Sequence, residues 1–158
     1  MAKALICLAA ICALACAQDS QNDWQKPDQL IRALQLKRSD AVAVLEPEPF
    51  LAPRITDRVR VVVNHNDPAA PAHSVDVIVL YDALHSVEHR AEFYPKLRHL
   101  LRPGGRVVNI DFFADPPSSG AREPKLPDTQ AVREFTAAGF HITQSVALLQ
   151  FQYFQVFE

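Results

Sequence analysis

Residues 75–113, VDVIVLYDALHSVEHRAEFYPKLRHLLRPGGRVVNIDFF, constrain the fold more than any other part of the chain. An apolar run at residues 75–80 ends in Tyr81-Asp82, and a segment of amphipathic spacing follows over about residues 88–101. Pro103-Gly104-Gly105 then stops a helix before a second apolar run at residues 107–110. Strand, helix, turn and strand over this length make a parallel crossover. Both runs are nearly continuous in apolar residues, as strands covered by helices on both faces require. The whole chain has 158 residues, 49% of them apolar, which suits one sizeable core and not two. Its formal charge of -2 gives no basic footprint, so no nucleic-acid partner is expected.

The segments around this unit alternate in the same way. Residues 24–36 carry Pro27 at a helix start, with Leu30, Ile31 and Leu34 at helical spacing. Parallel strands are expected near residues 41–45, 60–64, 75–81 and 106–111, and residues 50–58 have room for about two helical turns. Residues 67–71 read as a turn. Residues 114–127 hold four prolines and read as a loop before a helix that Asp128 can cap. Residues 142–148 and 151–157 read as a terminal antiparallel hairpin.

Several pieces resemble, in order and spacing, the class I S-adenosylmethionine-dependent methyltransferases. They are Ser74-Val75-Asp76, Tyr81-Asp82-Ala83-Leu84-His85-Ser86, the turn and strand from Leu101 through Pro103-Gly104-Gly105 to Val107, Asp111-Phe112, Glu134-Phe135-Thr136-Ala137-Ala138-Gly139-Phe140, and the closing Gln152-Tyr153-Phe154-Gln155-Val156-Phe157. The resemblance implies a Rossmann-like α/β sandwich, with S-adenosylmethionine as cofactor if the chain is active and a small molecule as acceptor. It also implies site residues. Asp67 matches the family position near the adenine, Tyr81 and Asp82 stand at the exit of the central strand, and His85 matches the first histidine of the family's pair. Glu46 aligns with the acidic residue at the end of the first strand if a gap follows it, whereas an ungapped alignment puts Ala43 there.

The chain departs from that family at the first strand's end. Relatives place a glycine-rich loop there, because backbone amides without side chains must approach the methionine part of the ligand. Here the segment is Val44-Leu45-Glu46-Pro47-Glu48-Pro49-Phe50, and no glycine precedes Gly104. Pro47 and Pro49 cannot donate, while Glu46 and Glu48 repel a carboxylate. Only about a dozen residues separate the first strand from Arg60-Val61-Val62-Val63-Asn64, which matches the family's third strand better than its second. One strand-helix unit, with its ribose-binding carboxylate, therefore reads as missing.

In the chemistry implied by the resemblance, His85 or Asp82 takes a proton from the acceptor. The structural alternatives are that His85 is a helix-start hydrogen-bonding residue, Asp82 a cap and Tyr81 core. His89 lies four residues beyond His85 but falls on the solvent side with no third ligand nearby in sequence, so no metal site is read. Two functions stay open: a methyltransferase with an impaired cofactor pocket, and a degenerate scaffold that binds without catalysis.

The first residues read as a secretory signal, residues 1–17, ahead of a methyltransferase-like domain at residues 18–158. Lys3 precedes an apolar run at residues 4–16 that is too short to span a bilayer, and Ala15-Cys16-Ala17 offers a cleavage site. This implies export to the periplasm or the exterior. A lipid anchor at Cys16 is the second alternative. All three cysteines, Cys7, Cys12 and Cys16, fall in this stretch, so the domain proper has no internal disulfide to form. Mass spectrometry of exported material should find an N-terminus at Gln18 or a lipidated Cys16; an intact Met1 would contradict the reading.

Overall fold

The computed structural model describes residues 26–45, 71–114 and 125–158, together with the backbone of residues 59–63. Residues 1–17, Glu46, the proline-rich segment after it, the helix read at 50–58 and Asp67 lie outside the described residues. Helix α1 is Pro27–Ala33, and strands β1 (Val42–Leu45), β2 (Val59–Val63) and β3 (Val75–Tyr81) follow. A single 3-10 turn at Leu84–Ser86 leads to α2 (Arg90–Leu100) and β4 (Leu101–Phe112). Helix α3 (Asp128–Ala137) and strands β5 (Ile142–Val146) and β6 (Gln152–Phe157) complete the described elements.

These strands form one six-stranded sheet in the order β2-β1-β3-β4-β6-β5. β2, β1, β3 and β4 are mutually parallel, and β6 runs antiparallel to both β4 and β5. This is the mostly parallel α/β sandwich with an antiparallel C-terminal hairpin that the alternating pattern implies. β3 is central and buried along nearly its whole length. Its side chains alternate between two cores. Ile78 and Leu80 pack with Phe93, Leu97 and Phe135 under α2 and α3, whereas Val77 and Val79 pack with Leu30 of α1 and Leu34 just after it.

Three details differ from the sequence expectation. β2 resembles the family's third strand in sequence but pairs directly with β1. In a doubly wound sheet that is the place of a second strand, since the third stands one position further out. Pro103-Gly104-Gly105 does not precede β4 but lies within it. Leu101 pairs with Val75 and Arg106 with Val77, so the extra residues are extruded as a bulge, with Gly104 at φ +76°. Asp128 is the first residue of α3 and not its cap. Pro127 flanks the helix, and the Asp128 carboxylate accepts from the Thr129 amide at 2.7 Å.

Helix α3 ends in a Schellman turn that the Ala-Gly-Phe sequence specifies. Gly139 adopts φ +85°, its amide bonds Thr136 O at 2.9 Å, and the Phe140 amide bonds Phe135 O at 3.0 Å. The two phenylalanine rings then meet edge-on with centroids 5.4 Å apart. A Cβ at Gly139 would stand 2.9 Å from Arg98 Nη1, so a side chain meets both backbone strain and a neighbour. Gly139→Ala should cost about 1–2 kcal/mol and lower Tm by roughly 2–8 °C in a thermal melt.

An ion pair clamps α2 to α3. The Arg90 guanidinium gives Nε to Glu134 Oε2 at 2.7 Å and Nη2 to Glu134 Oε1 at 3.2 Å, and the Tyr94 hydroxyl donates to Glu134 Oε2 at 2.8 Å. Burial alone would raise the Glu134 pKa, but hydrogen bonds from Arg90, Gln130 and Tyr94 outweigh it and hold the carboxyl down at about 2. A depressed pKa contributes stability that is present above the ordinary value of 4.5 and is lost as pH falls through about 2. Denaturant unfolding at pH 6 and pH 3 should show the native protein losing about 1–2 kcal/mol more than an Arg90→Met variant, the partial exposure of the pair limiting the size.

Candidate functional site

Parallel strands deliver their carboxyl ends to one edge of a sheet, and ligands of open α/β folds bind there. In the register of β3 against β4, Leu80 pairs with Asn109 and Tyr81 with Ile110. The next residues, Asp82 and Asp111, therefore emerge side by side. Asp82 turns the chain out of the sheet at φ +50°, in the left-handed region that aspartate tolerates better than most residues, while its amide still bonds Ile110 O at 2.7 Å. The 3-10 turn that follows carries His85 back over the strand ends.

The result is a compact four-residue cluster. His85 Nδ1 lies 3.3 Å from Asp82 Oδ1 and 3.6 Å from Asp111 Oδ1. Lys125, from the segment before α3, places Nζ 2.8 Å from Asp82 Oδ1 and 3.2 Å from His85 Nε2. Its ammonium also stands 5.2 Å from the centroid of the Phe112 ring. Asp111 is fully buried, its Oδ1 accepting from the Phe112 amide at 2.8 Å. Asp82 is partly exposed, so the cluster opens on its side.

The charges in this space shift one another. The neighbouring Asp111 carboxylate raises the His85 pKa above the ordinary 6.5, against the lowering by burial, with added attraction from Asp82 and opposition from Lys125. Burial raises the Asp82 carboxyl, and the Lys125 hydrogen bond only partly offsets it. A carboxyl pushed up beside an imidazole pushed up is a candidate proton-handling pair.

Of the residues singled out in the sequence, Asp82 and His85 are thus brought together. The Asp82 carboxylate goes to Lys125 and does not cap the following turn, whose flanking residue Ala83 has no side-chain cap. Tyr81 is almost fully buried on the opposite face of the sheet, where its hydroxyl donates to Gln152 Oε1 at 3.1 Å. Asp111 and Lys125 were not read as site residues. The signal for Asp111 was present, because two adjacent parallel strands each carry an aspartate at or just past the carboxyl end. Lys125 carried no signal, since it comes from a proline-rich stretch 40 residues from His85.

Among the described residues no helix is long and apolar enough to cross a membrane. Comparison with known proteins places the chain in a family. The family described as "Methyltransferase domain" matches residues 28–109. No curated protein matches the chain. Among solved structures, an S-adenosylmethionine-dependent methyltransferase from Aquifex aeolicus is similar with a TM-score of 0.71 at 13% identity, over 87% of this chain and 92% of that one. Another such enzyme, from Mesorhizobium loti, gives 0.61 at 13% identity over 82% and 96%. The Burkholderia thailandensis 1,6-didemethyltoxoflavin-N1-methyltransferase, with bound S-adenosylhomocysteine, gives 0.57 at 14% identity over 98% and 88%. With the family match spanning more than half of its residues, and a fold shared with these enzymes, the chain belongs to the class I S-adenosylmethionine-dependent methyltransferase family.

Proposed function

We propose that this protein is a methyltransferase-family member that holds S-adenosylmethionine weakly and acts on a small-molecule acceptor, with His85 as the group that takes the acceptor's proton. The observation that carries the reading is the cluster at the carboxyl ends of β3 and β4. His85 faces two carboxylates through Nδ1, which orient the ring and stabilise its protonated form. The cofactor, when bound, supplies an electrophilic methyl group; the chain's contribution is to position the acceptor and accept its proton.

The residues present fit the cofactor poorly. Leu45 runs directly into Glu46-Pro47-Glu48-Pro49, whose two prolines have no amide to donate and whose glutamates repel a carboxylate. Tyr81 is committed to Gln152 in the core, and the Asp82 carboxylate to Lys125.

A second reading, a scaffold that binds a small molecule without catalysis, is favoured by one specific contact. The Lys125 ammonium stands 3.2 Å from His85 Nε2, the ring nitrogen that would face an acceptor. Export, proposed from the signal-like first residues, favours the same reading, because the methyl donor is expected in the cytoplasm.

Two lost amide donors and the added repulsion remove about 2–4 kcal/mol, which moves a micromolar ligand toward the millimolar range. Calorimetric titration with S-adenosylmethionine or S-adenosylhomocysteine should accordingly show binding only near millimolar concentrations. Saturable micromolar binding would refute the impairment and leave an ordinary enzyme. Replacement of residues 45–49 by a glycine-rich loop should tighten binding; if it does not, the shortened sheet, and not the loop, is limiting.

A further inference from the structure

We propose that Asp82, His85 and Asp111 form a binding site for a divalent first-row metal ion, with Lys125 as a tethered competitor for the Asp82 carboxylate. The site shares these residues with the cluster of the methyltransferase reading, but it rests on geometry alone and needs no cofactor. Each of the three residues offers one ligand atom, and these atoms all lie within 4.8 Å of one another. They come from the exit of β3, the 3-10 turn and the exit of β4, so the sheet and its first turn set their spacing.

The distances are those of a coordination shell. Ligand atoms held at ~2.0–2.2 Å around a tetrahedral ion lie ~3.3–3.6 Å from one another. His85 Nδ1 stands 3.3 Å from Asp82 Oδ1 and 3.6 Å from Asp111 Oδ1, two edges of such a polyhedron. An ordinary hydrogen bond between these groups would be shorter, at about 2.7–3.2 Å.

A second observation points to a cation independently. Asp111 is 0% exposed, and its Oδ2 has no hydrogen-bond partner among the described residues. Its Oδ1 meanwhile accepts from the Phe112 amide, the kind of outer support that orients a ligating carboxylate. Leaving a buried carboxylate oxygen without a partner is costly, and an ion bound by the Asp111 carboxylate would offset that cost. The charges agree. Two carboxylates face one lysine, and a doubly charged ion beside a neutral imidazole balances them with Lys125 withdrawn. Lys125 Nζ, 2.8 Å from Asp82 Oδ1, competes with an ion for that one ligand oxygen. Two oxygens and one imidazole nitrogen select Mn2+ or Zn2+ over Mg2+ or Ca2+, which prefer oxygen alone.

The test titrates the tag-free full chain with MnCl2 and follows the electron paramagnetic resonance signal of free Mn2+. Manganese avoids the thiolates of Cys7, Cys12 and Cys16, which would take zinc. Expected are one saturable Mn2+ per chain, roughly tenfold or more tighter binding by Lys125→Met, and roughly 10–100-fold weaker binding by Asp111→Asn and by His85→Gln. Circular dichroism checks that each variant is folded. Should Asp111→Asn fail to fold, the unaltered protein decides: Mn2+ should broaden the His85 imidazole resonances before those of the other five histidines. The proposal is overturned if neither the native chain nor Lys125→Met binds Mn2+ up to millimolar concentration. It is equally overturned if Asp111→Asn and His85→Gln, both folded, bind as well as the native chain, or if another histidine broadens first.

Discussion

Parallel pairing of β3 with β1 on one side and β4 on the other is the constraint on which the rest of the molecule depends. Strands that run together must be joined by a crossover, which puts α2 over one face, and a strand with neighbours on both sides must be apolar on both faces. Parallelism also means that successive strands release their chains at the same edge. Asp82 and Asp111 are 29 positions apart in sequence and adjacent in space for that reason alone. The cluster with His85 and Lys125 is thus a product of topology, not of a local motif.

The crossover was legible because three independent signals agreed over residues 75–113: apolar continuity, helical spacing, and a Gly-Gly break. The C-terminal hairpin was legible for similar reasons, and Gly139 followed by Phe140 marked the end of α3. The bulge in β4 was not, since Pro103-Gly104-Gly105 reads equally as a turn before a strand or as residues extruded from one; only pairing with Val75 and Val77 decides. The place of β2 was hidden because likeness in sequence to a third strand says nothing about which neighbour it will find. In the site, His85 and Asp82 were visible as polar residues at a strand end, and Tyr81 beside them was misleading. An outward or inward turn of a side chain at a strand's last residue depends on the alternation of the sheet, and here that alternation sends Tyr81 to the α1 side.

The face of the sheet under α2 and α3 is not uniformly apolar. Asn109 pairs across from Gln155, and Asp111 from Tyr153, all four almost fully buried. The segment entering α3 meets this strip with its backbone: Tyr153 donates to Leu126 O at 3.1 Å and Gln155 to Asp128 O at 3.1 Å. The approach to α3 is therefore held by polar anchors, while the helix itself is held by Phe135, stacked 4.0 Å from Phe157. That division explains how Lys125, just before the anchored stretch, can be delivered reproducibly to Asp82.

The order of strands has a consequence for how the chain must assemble. β6 follows β5 in sequence but lies between β5 and β4 in the sheet, so β5 has no described strand to pair with until β6 has been made. During vectorial synthesis the helices and parallel strands can meet first, while β4 waits with one edge bare and Phe135 without its stacked partner. An uncovered strand edge beside an exposed aromatic invites pairing with other chains. The interval between emergence of β4 and closure by β6 is the stage at which a nascent chain of this topology most needs protection from its neighbours.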